Sequence, residues 1–99
     1  MSIAIIGGNE CMERRYKDLC KDFRFEAKVF TKPKGIKQRL GTPDFIIFFT
    51  NTMSHKMIQT TMSSIDISNV QIVRSHSSSI SSLKDILTQY AASTKTRVM

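Results

Sequence analysis

The segment DFIIFFT, residues 44–50, contains five large apolar residues in a row. A run this short and continuous is typical of a strand buried on both faces, as in a parallel sheet. Parallel strands need crossover connections, which are usually helices, and those helices cover the faces of the sheet. The segment therefore predicts an α/β architecture in which it is a central strand.

The rest of the chain alternates strand patterns with helical patterns, as this architecture requires. Strands are predicted at residues 2–8, 25–31, 44–50 and 69–75, and helices at about 10–22, 57–65 and 79–91. Residues 36–40 form at most a short helix before Gly41 and Pro43. Because crossovers are right-handed, we expect a small three-layer Rossmann-like or flavodoxin-like domain with about four parallel strands in the order 2-1-3-4.

Length and composition fit one globular domain. The chain has 99 residues, of which 40% are hydrophobic and 23% are charged. We expect the domain to cover residues 1–92 and residues 93–99 to form a polar tail. No apolar run approaches the roughly 18 residues of a membrane span, and the N-terminus lacks the charged and apolar regions of a signal peptide.

The two cysteines indicate a reducing compartment. Cys11 and Cys20 are nine positions apart in one predicted helix. Their separation along the helix axis is about 13 Å, whereas a disulfide needs Cα atoms within about 7 Å. The pair therefore cannot form a disulfide there, and we expect free thiols and a cytoplasmic protein.

The candidate ligand site lies where the strands of the sheet end. All strand-to-helix joints of a parallel sheet lie at its carboxyl edge, and ligands bind there where the strand order reverses. The joints nearest this point are residues 7–15, 50–56 and 74–79. Their candidate ligand-binding residues are Gly7, Gly8, Arg14, Thr50, Ser54, His55, Lys56, Arg74, His76, Ser77, Ser78 and Ser79.

These residue types favour an anionic ligand. Helix N-termini attract anions, and glycines let the backbone approach a ligand closely. Hydroxyl groups can donate to phosphate or carboxylate oxygens, and Lys56 and Arg74 can neutralise them. The net charge of +7 favours the same partners, so we expect a phosphate-bearing or other anionic small ligand. Helix capping is the competing explanation for one serine of the SSS run at residues 77–79.

Two other functions stay open. The basic charge also suits nucleic acid, although Phe45, Phe48 and Phe49 lie in a core strand and not among surface lysines. His55 and His76 could serve a metal-, haem- or other cofactor-dependent enzyme. The dinucleotide, P-loop, C-x-x-C and H-E-x-x-H motifs are absent, so the sequence specifies neither a cofactor nor a reaction.

Several segments resemble the bacterial family known as domain of unknown function 2325, especially its short stand-alone members from Gram-positive bacteria. They are MSIAIIGGNECMERRYKDLCKDF, KVFT, DFIIFFTNTMSHKM and VRSHSSSISSLKDIL. The family pattern matches the glycine pair at 7–8, the Ser-His-Lys at 54–56 and the serine turn at 77–79. The resemblance implies a small Rossmann-like domain and supplies no activity.

The expected sheet also bears on assembly. A four-stranded open sheet leaves two edge strands, and exposed edges are templates for pairing with another chain. We therefore expect self-association through an edge or a helix face, most simply as a homodimer, with a higher homo-oligomer also open.

Overall fold

The structure is a computed structural model that describes residues 2–32, 34–65 and 70–98, with side chains up to residue 89. Strands and helices alternate throughout these ranges. They are β1 (Ser2–Ile6), α1 (Glu13–Asp22), β2 (Glu26–Phe30), α2 (Ile36–Arg39), β3 (Phe45–Phe49), α3 (His55–Ser64), β4 (Gln71–Ser75) and α4 (Ile80–Val98). Short 3-10 turns at Glu10–Met12 and Thr50–Thr52 precede α1 and α3.

The four strands form one parallel sheet in the order β2-β1-β3-β4. In the register of this sheet, Ile5 of β1 lies between Val29 of β2 and Ile47 of β3, and Ile47 lies beside Val73 of β4. The predicted fold class and strand order are therefore confirmed. The strand order reverses between β1 and β3, as the prediction of the ligand site requires.

Strand β3 is buried along its whole length because β1 and β4 flank it and helices cover both faces. Its successive side chains point to opposite faces and enter two separate apolar clusters. Phe45, Ile47 and Phe49 pack with residues of α1 and α4, which lie on the α1/α4 side of the sheet. Ile46 and Phe48 pack with residues of α2 and α3, on the α2/α3 side.

The starts of α1 and β4 and the end of α4 differ from the sequence prediction, and most other element ends shift by one or two residues. The helix expected from residue 10 begins with a 3-10 turn, because the side chain of Asn9 accepts a hydrogen bond from the Cys11 amide (3.0 Å). Strand β4 begins at Gln71, and residue 69, its predicted start, lies outside the described residues. Helix α4 continues to Val98, beyond the expected end near residue 91. The domain limit at residue 92 stays a prediction.

Both cysteines are free, as the helix spacing predicts. Cys11 is exposed, whereas Cys20 is buried in the cluster on the α1/α4 side. Burial raises the pKa of the Cys20 thiol to about 11. This thiol is therefore protonated near neutral pH and serves as a small apolar core group. In the part of the chain that the structure describes, no helix is both long and apolar enough to cross a membrane.

Candidate functional site

The three joints selected from the sequence meet at the carboxyl edge of the sheet. The Gly8 amide, after β1, donates a hydrogen bond to the Thr52 hydroxyl, after β3 (2.6 Å). The Thr50 hydroxyl donates to the carbonyl oxygen of Ser75, the last residue of β4 (3.3 Å). Direct hydrogen bonds thus join the β1–α1, β3–α3 and β4–α4 connections at one rim.

The two glycines at this rim are required by internal packing. Gly7 and Gly8 have φ angles of 98° and 89°, in the left-handed region that side chains disfavour. A Cβ on Gly8 would lie 2.8 Å from Tyr16 Cε2, and a Cβ on Gly7 would lie 2.8 Å from Met53 Cγ. Contacts with side chains of the protein itself therefore account for both glycines. The role of Gly7 and Gly8 in binding a ligand stays a prediction.

Tyr16 is a part of the rim that sequence reasoning missed. Its position on the apolar face of α1 predicts a core residue, and it is fully buried. Its hydroxyl also donates a hydrogen bond to the Ser78 carbonyl oxygen (2.6 Å) and accepts one from the Asn9 amide (3.4 Å). Tyr16 therefore holds the turns after β1 and β4 together across the rim, which no sequence spacing indicates.

The serine turn forms hydrogen bonds mainly within itself. The Ser75 hydroxyl donates to the Ser77 carbonyl oxygen (2.8 Å), and the Ser77 hydroxyl accepts from the Ser79 amide (3.3 Å). The Ser79 hydroxyl accepts from the Ser82 amide (3.2 Å), which is the bond of a helix N-cap. Helix capping and turn formation therefore explain why several serines occur in this segment.

The Ser-His-Lys segment begins α3. The Ser54 hydroxyl accepts a hydrogen bond from the Met57 amide (3.2 Å), so Ser54 is the N-cap of that helix. His55 and Lys56 occupy the first turn and are exposed, as is His76 after β4. Within the described ranges, no three His, Cys, Asp or Glu side chains are grouped as ligands for a metal ion. The metal or haem role of the histidines stays a prediction.

The basic residues of the predicted site lie on different parts of the surface. Arg14 is exposed on α1, which packs on the α1/α4 side. Arg74 lies beside Phe48 in the register of β3 and β4 and lines a recess with Met53 and Met62, on the α2/α3 side. Lys56 lines a separate hollow beside helix α2. The structure therefore does not bring these three cations together around the serine turn.

The hollow that contains Lys56 lies at the same carboxyl edge, toward β2. It has a volume of about 830 Å³ and opens between the connection after β2, helix α2 and the first turns of α3. We call it the lysine hollow. Its described lining residues are Lys32, Lys34, Gly35, Lys37, Gln38, Lys56 and Thr60.

The lysine hollow is strongly positive. Four of its described lining residues are lysines, and none of them is acidic. Lys32 forms an ion pair with Glu10 of the β1–α1 connection (3.2 Å), but both side chains are more than half exposed, so solvent screens this pair. An incoming anion can therefore compete with Glu10 for Lys32 and meet three further ammonium groups.

A sequence signal for this hollow exists in the segment TKPKGIK, residues 31–37. It follows β2, so it lies at the same edge as the other strand ends, and it places three lysines within six positions. The reversal of strand order does not point to this segment, because β2 is an edge strand and the order reverses between β1 and β3. Lys56 is the predicted site residue that the structure brings together with these lysines.

The fold and the rim define a small Rossmann-like α/β domain with a basic carboxyl edge. The chain matches, over residues 2–90, a family described as an uncharacterised protein conserved in bacteria, domain of unknown function 2325. This chain belongs to that family, as its sequence motifs suggest. Comparisons with curated proteins and with solved structures gave no match.

Proposed function

We propose that the lysine hollow binds a small anionic ligand that carries several phosphate groups. The observation that carries this proposal is the set of four lysines that line one hollow. None of its described lining residues is acidic, and the contact of Lys32 with Glu10 is exposed to solvent. Lysine is a common ligand of phosphate, which it binds as a compact point charge. Clustered lysines repel one another, so a multivalent anion relieves that repulsion when it binds.

The size of the hollow favours a small molecule. Its volume of about 830 Å³ is within the roughly 300–1,000 Å³ of typical small-molecule sites. The Thr60 side chain and the Gly35 backbone in its lining can add hydrogen bonds to the lysine charges. A chain of linked phosphates, as in a nucleoside triphosphate, would meet more of these groups at once than a single phosphate.

Nucleic acid is the less favoured alternative. Proteins that bind single strands combine a basic groove with exposed aromatic side chains on which bases stack. Phe45, Phe48 and Phe49 are all buried in β3 and cannot act in this way. A basic surface that offers no exposed ring contacts phosphates alone, which gives weak, salt-sensitive binding without sequence preference.

We also propose that the protein acts in the cytoplasm. The support for this location is the pair of free thiols, of which Cys11 is exposed and would be open to oxidation in a secreted protein. Cytosolic metabolites with linked phosphates are ligands of the proposed class.

The test is calorimetric titration of the full chain with inorganic tripolyphosphate, with citrate and a single-stranded oligodeoxynucleotide as comparison ligands. We expect saturable binding of one tripolyphosphate per chain at low salt, and weaker binding of citrate. Raising the salt concentration should weaken tripolyphosphate binding, because the contacts are charged. Absence of saturable tripolyphosphate binding at low salt would contradict the proposal. Tighter binding of the oligodeoxynucleotide would favour the nucleic-acid alternative.

A further inference from the structure

The two edges of the sheet differ in how they are protected. On the β2 edge, Glu26 and Lys28 are exposed and charged, and the lysine hollow follows the end of the strand. Charges of this kind disfavour edge-to-edge pairing. Strand β4, QIVRS, carries one charged residue, Arg74, and no proline. Of the two edges, β4 is therefore the one suited to pairing with another strand.

The backbone of β4 presents hydrogen-bonding groups along its outer edge. The Gln71 amide donates to the Asp44 carbonyl oxygen, on the side where β3 lies (3.2 Å). The amide and carbonyl of one strand residue point to the same side, and successive residues alternate. The groups of Ile72 and Arg74 therefore point away from β3, where no other strand of the described chain pairs with β4.

Apolar side chains flank β4 on both faces of the sheet. On the α2/α3 side there is a recess of about 280 Å³. Its lining residues are Phe48, Thr50, Met53, Ile58, Met62 and Arg74. On the α1/α4 side, Val73 packs against the apolar cluster that contains Leu87. Ile72 and Val73 themselves are only half-buried, so covering this edge would remove apolar surface from water.

We propose that β4 pairs antiparallel with β4 of a second copy of the chain, with the two-fold axis passing beside Val73. Each sheet then continues into the other across the dimer. Ile72 of one copy lies opposite Arg74 of the other, and their outward amides and carbonyls form the hydrogen-bonded pairs of an antiparallel ladder. The two Val73 side chains meet at the axis.

The distribution of charge supports a second copy as the occupant. In the register centred on Val73, each Arg74 faces an isoleucine and not the other arginine, so like charges are not opposed. The lysine hollows lie toward β2, at the far edges of the joined sheets, where the two clusters repel each other least. An acidic peptide added to β4 is the competing occupant.

The first test uses light scattering on size-exclusion chromatography of the full chain. Arg74→Pro removes an outward amide that β3 does not use, so we expect it to convert a dimer to a monomer while the far-UV circular dichroism stays native. Arg74→Gln is the matched control, because it removes the charge and keeps the amide, and it should remain a dimer. A wild-type monomer, or a dimeric and folded Arg74→Pro variant, would overturn the proposal.

The second test locates the axis even if the proline variant does not fold. In the background Cys11→Ser, Val73→Cys places two thiols at the axis, where Cα atoms of such a pair are about 4.5 Å apart and within disulfide range. We expect a covalent dimer on mild oxidation. Gln71→Cys, whose copies would be roughly 13 Å apart, should stay uncrosslinked. Equal crosslinking of both variants, or none with Val73→Cys, would rule out this register.

Discussion

Gly8→Ala is expected to lower the free energy of unfolding by about 3 kcal/mol, because two costs of similar size add. The residue has a φ angle of 89°, which disfavours any side chain by roughly 1–2 kcal/mol. The new Cβ would also lie 2.8 Å from Tyr16 Cε2 and 3.2 Å from Phe49 Cδ2. Both rings are fully buried, and the Tyr16 hydroxyl is hydrogen-bonded to the Ser78 carbonyl, so neither can move without further loss.

Gly41→Ala measures the cost of the positive φ angle without the steric clash. Gly41 also has a positive φ angle, 64°, but a Cβ there would meet only the Lys28 ammonium, at an ordinary 3.6 Å. We expect this variant to lose about 1 kcal/mol. Urea unfolding followed by circular dichroism measures both variants. Equal losses at the two positions would mean that the Tyr16 and Phe49 rings do not close the space over Gly8, and that the rim has room for a ligand there.

The double variant Lys37→Ala/Lys56→Ala is expected to weaken tripolyphosphate binding about 30-fold, which corresponds to about 2 kcal/mol of binding free energy. The two lysines come from α2 and α3, on different walls of the lysine hollow, so their joint removal takes away half of its lysine charge. Both side chains are exposed, so the unfolding free energy should change little.

A charge-matched control separates the local site from the overall charge of +7. Lys17→Ala/Lys21→Ala removes the same two charges from exposed positions of α1, on the opposite side of the sheet. We expect less than about a threefold loss of affinity, because salt screens charges beyond about 10 Å. Titration calorimetry under one buffer condition compares the two pairs. If both pairs lose affinity equally, the ligand responds to net charge and not to the hollow.

The architecture was predictable because its signals are local and agree with one another. The buried run in β3 required a covered parallel sheet, and the alternation of patterns limited the order of its strands. The exact ends of the helices and strands were harder to predict from the sequence. The start of α1 depends on a hydrogen bond from the Cys11 amide to Asn9, which changes the first turn without changing the apolar periodicity.

The candidate site was predictable in its place but not in its composition. Topology alone puts the strand ends at one edge, and hydrogen bonds between the joints join them there. Which polar groups remain available is a tertiary property. The Ser79 hydroxyl is engaged as a helix cap, and the Tyr16 and Phe49 rings contact Gly8. Lys56 instead lines a hollow with lysines that are 19 to 24 residues earlier in the chain. These pairings depend on side-chain packing that spacing does not encode.

The most direct test of the central claim is ¹H–¹⁵N NMR of the full chain during titration with inorganic tripolyphosphate. Binding in the lysine hollow predicts saturable amide shifts concentrated at Lys32, Gly35, Lys37, Lys56 and Thr60, with small changes on α1. Shifts concentrated at Gly8 and Ser77–Ser79 would contradict this placement and show that the ligand binds at the serine turn. Small, uniform shifts over the whole basic surface would show that no such site exists.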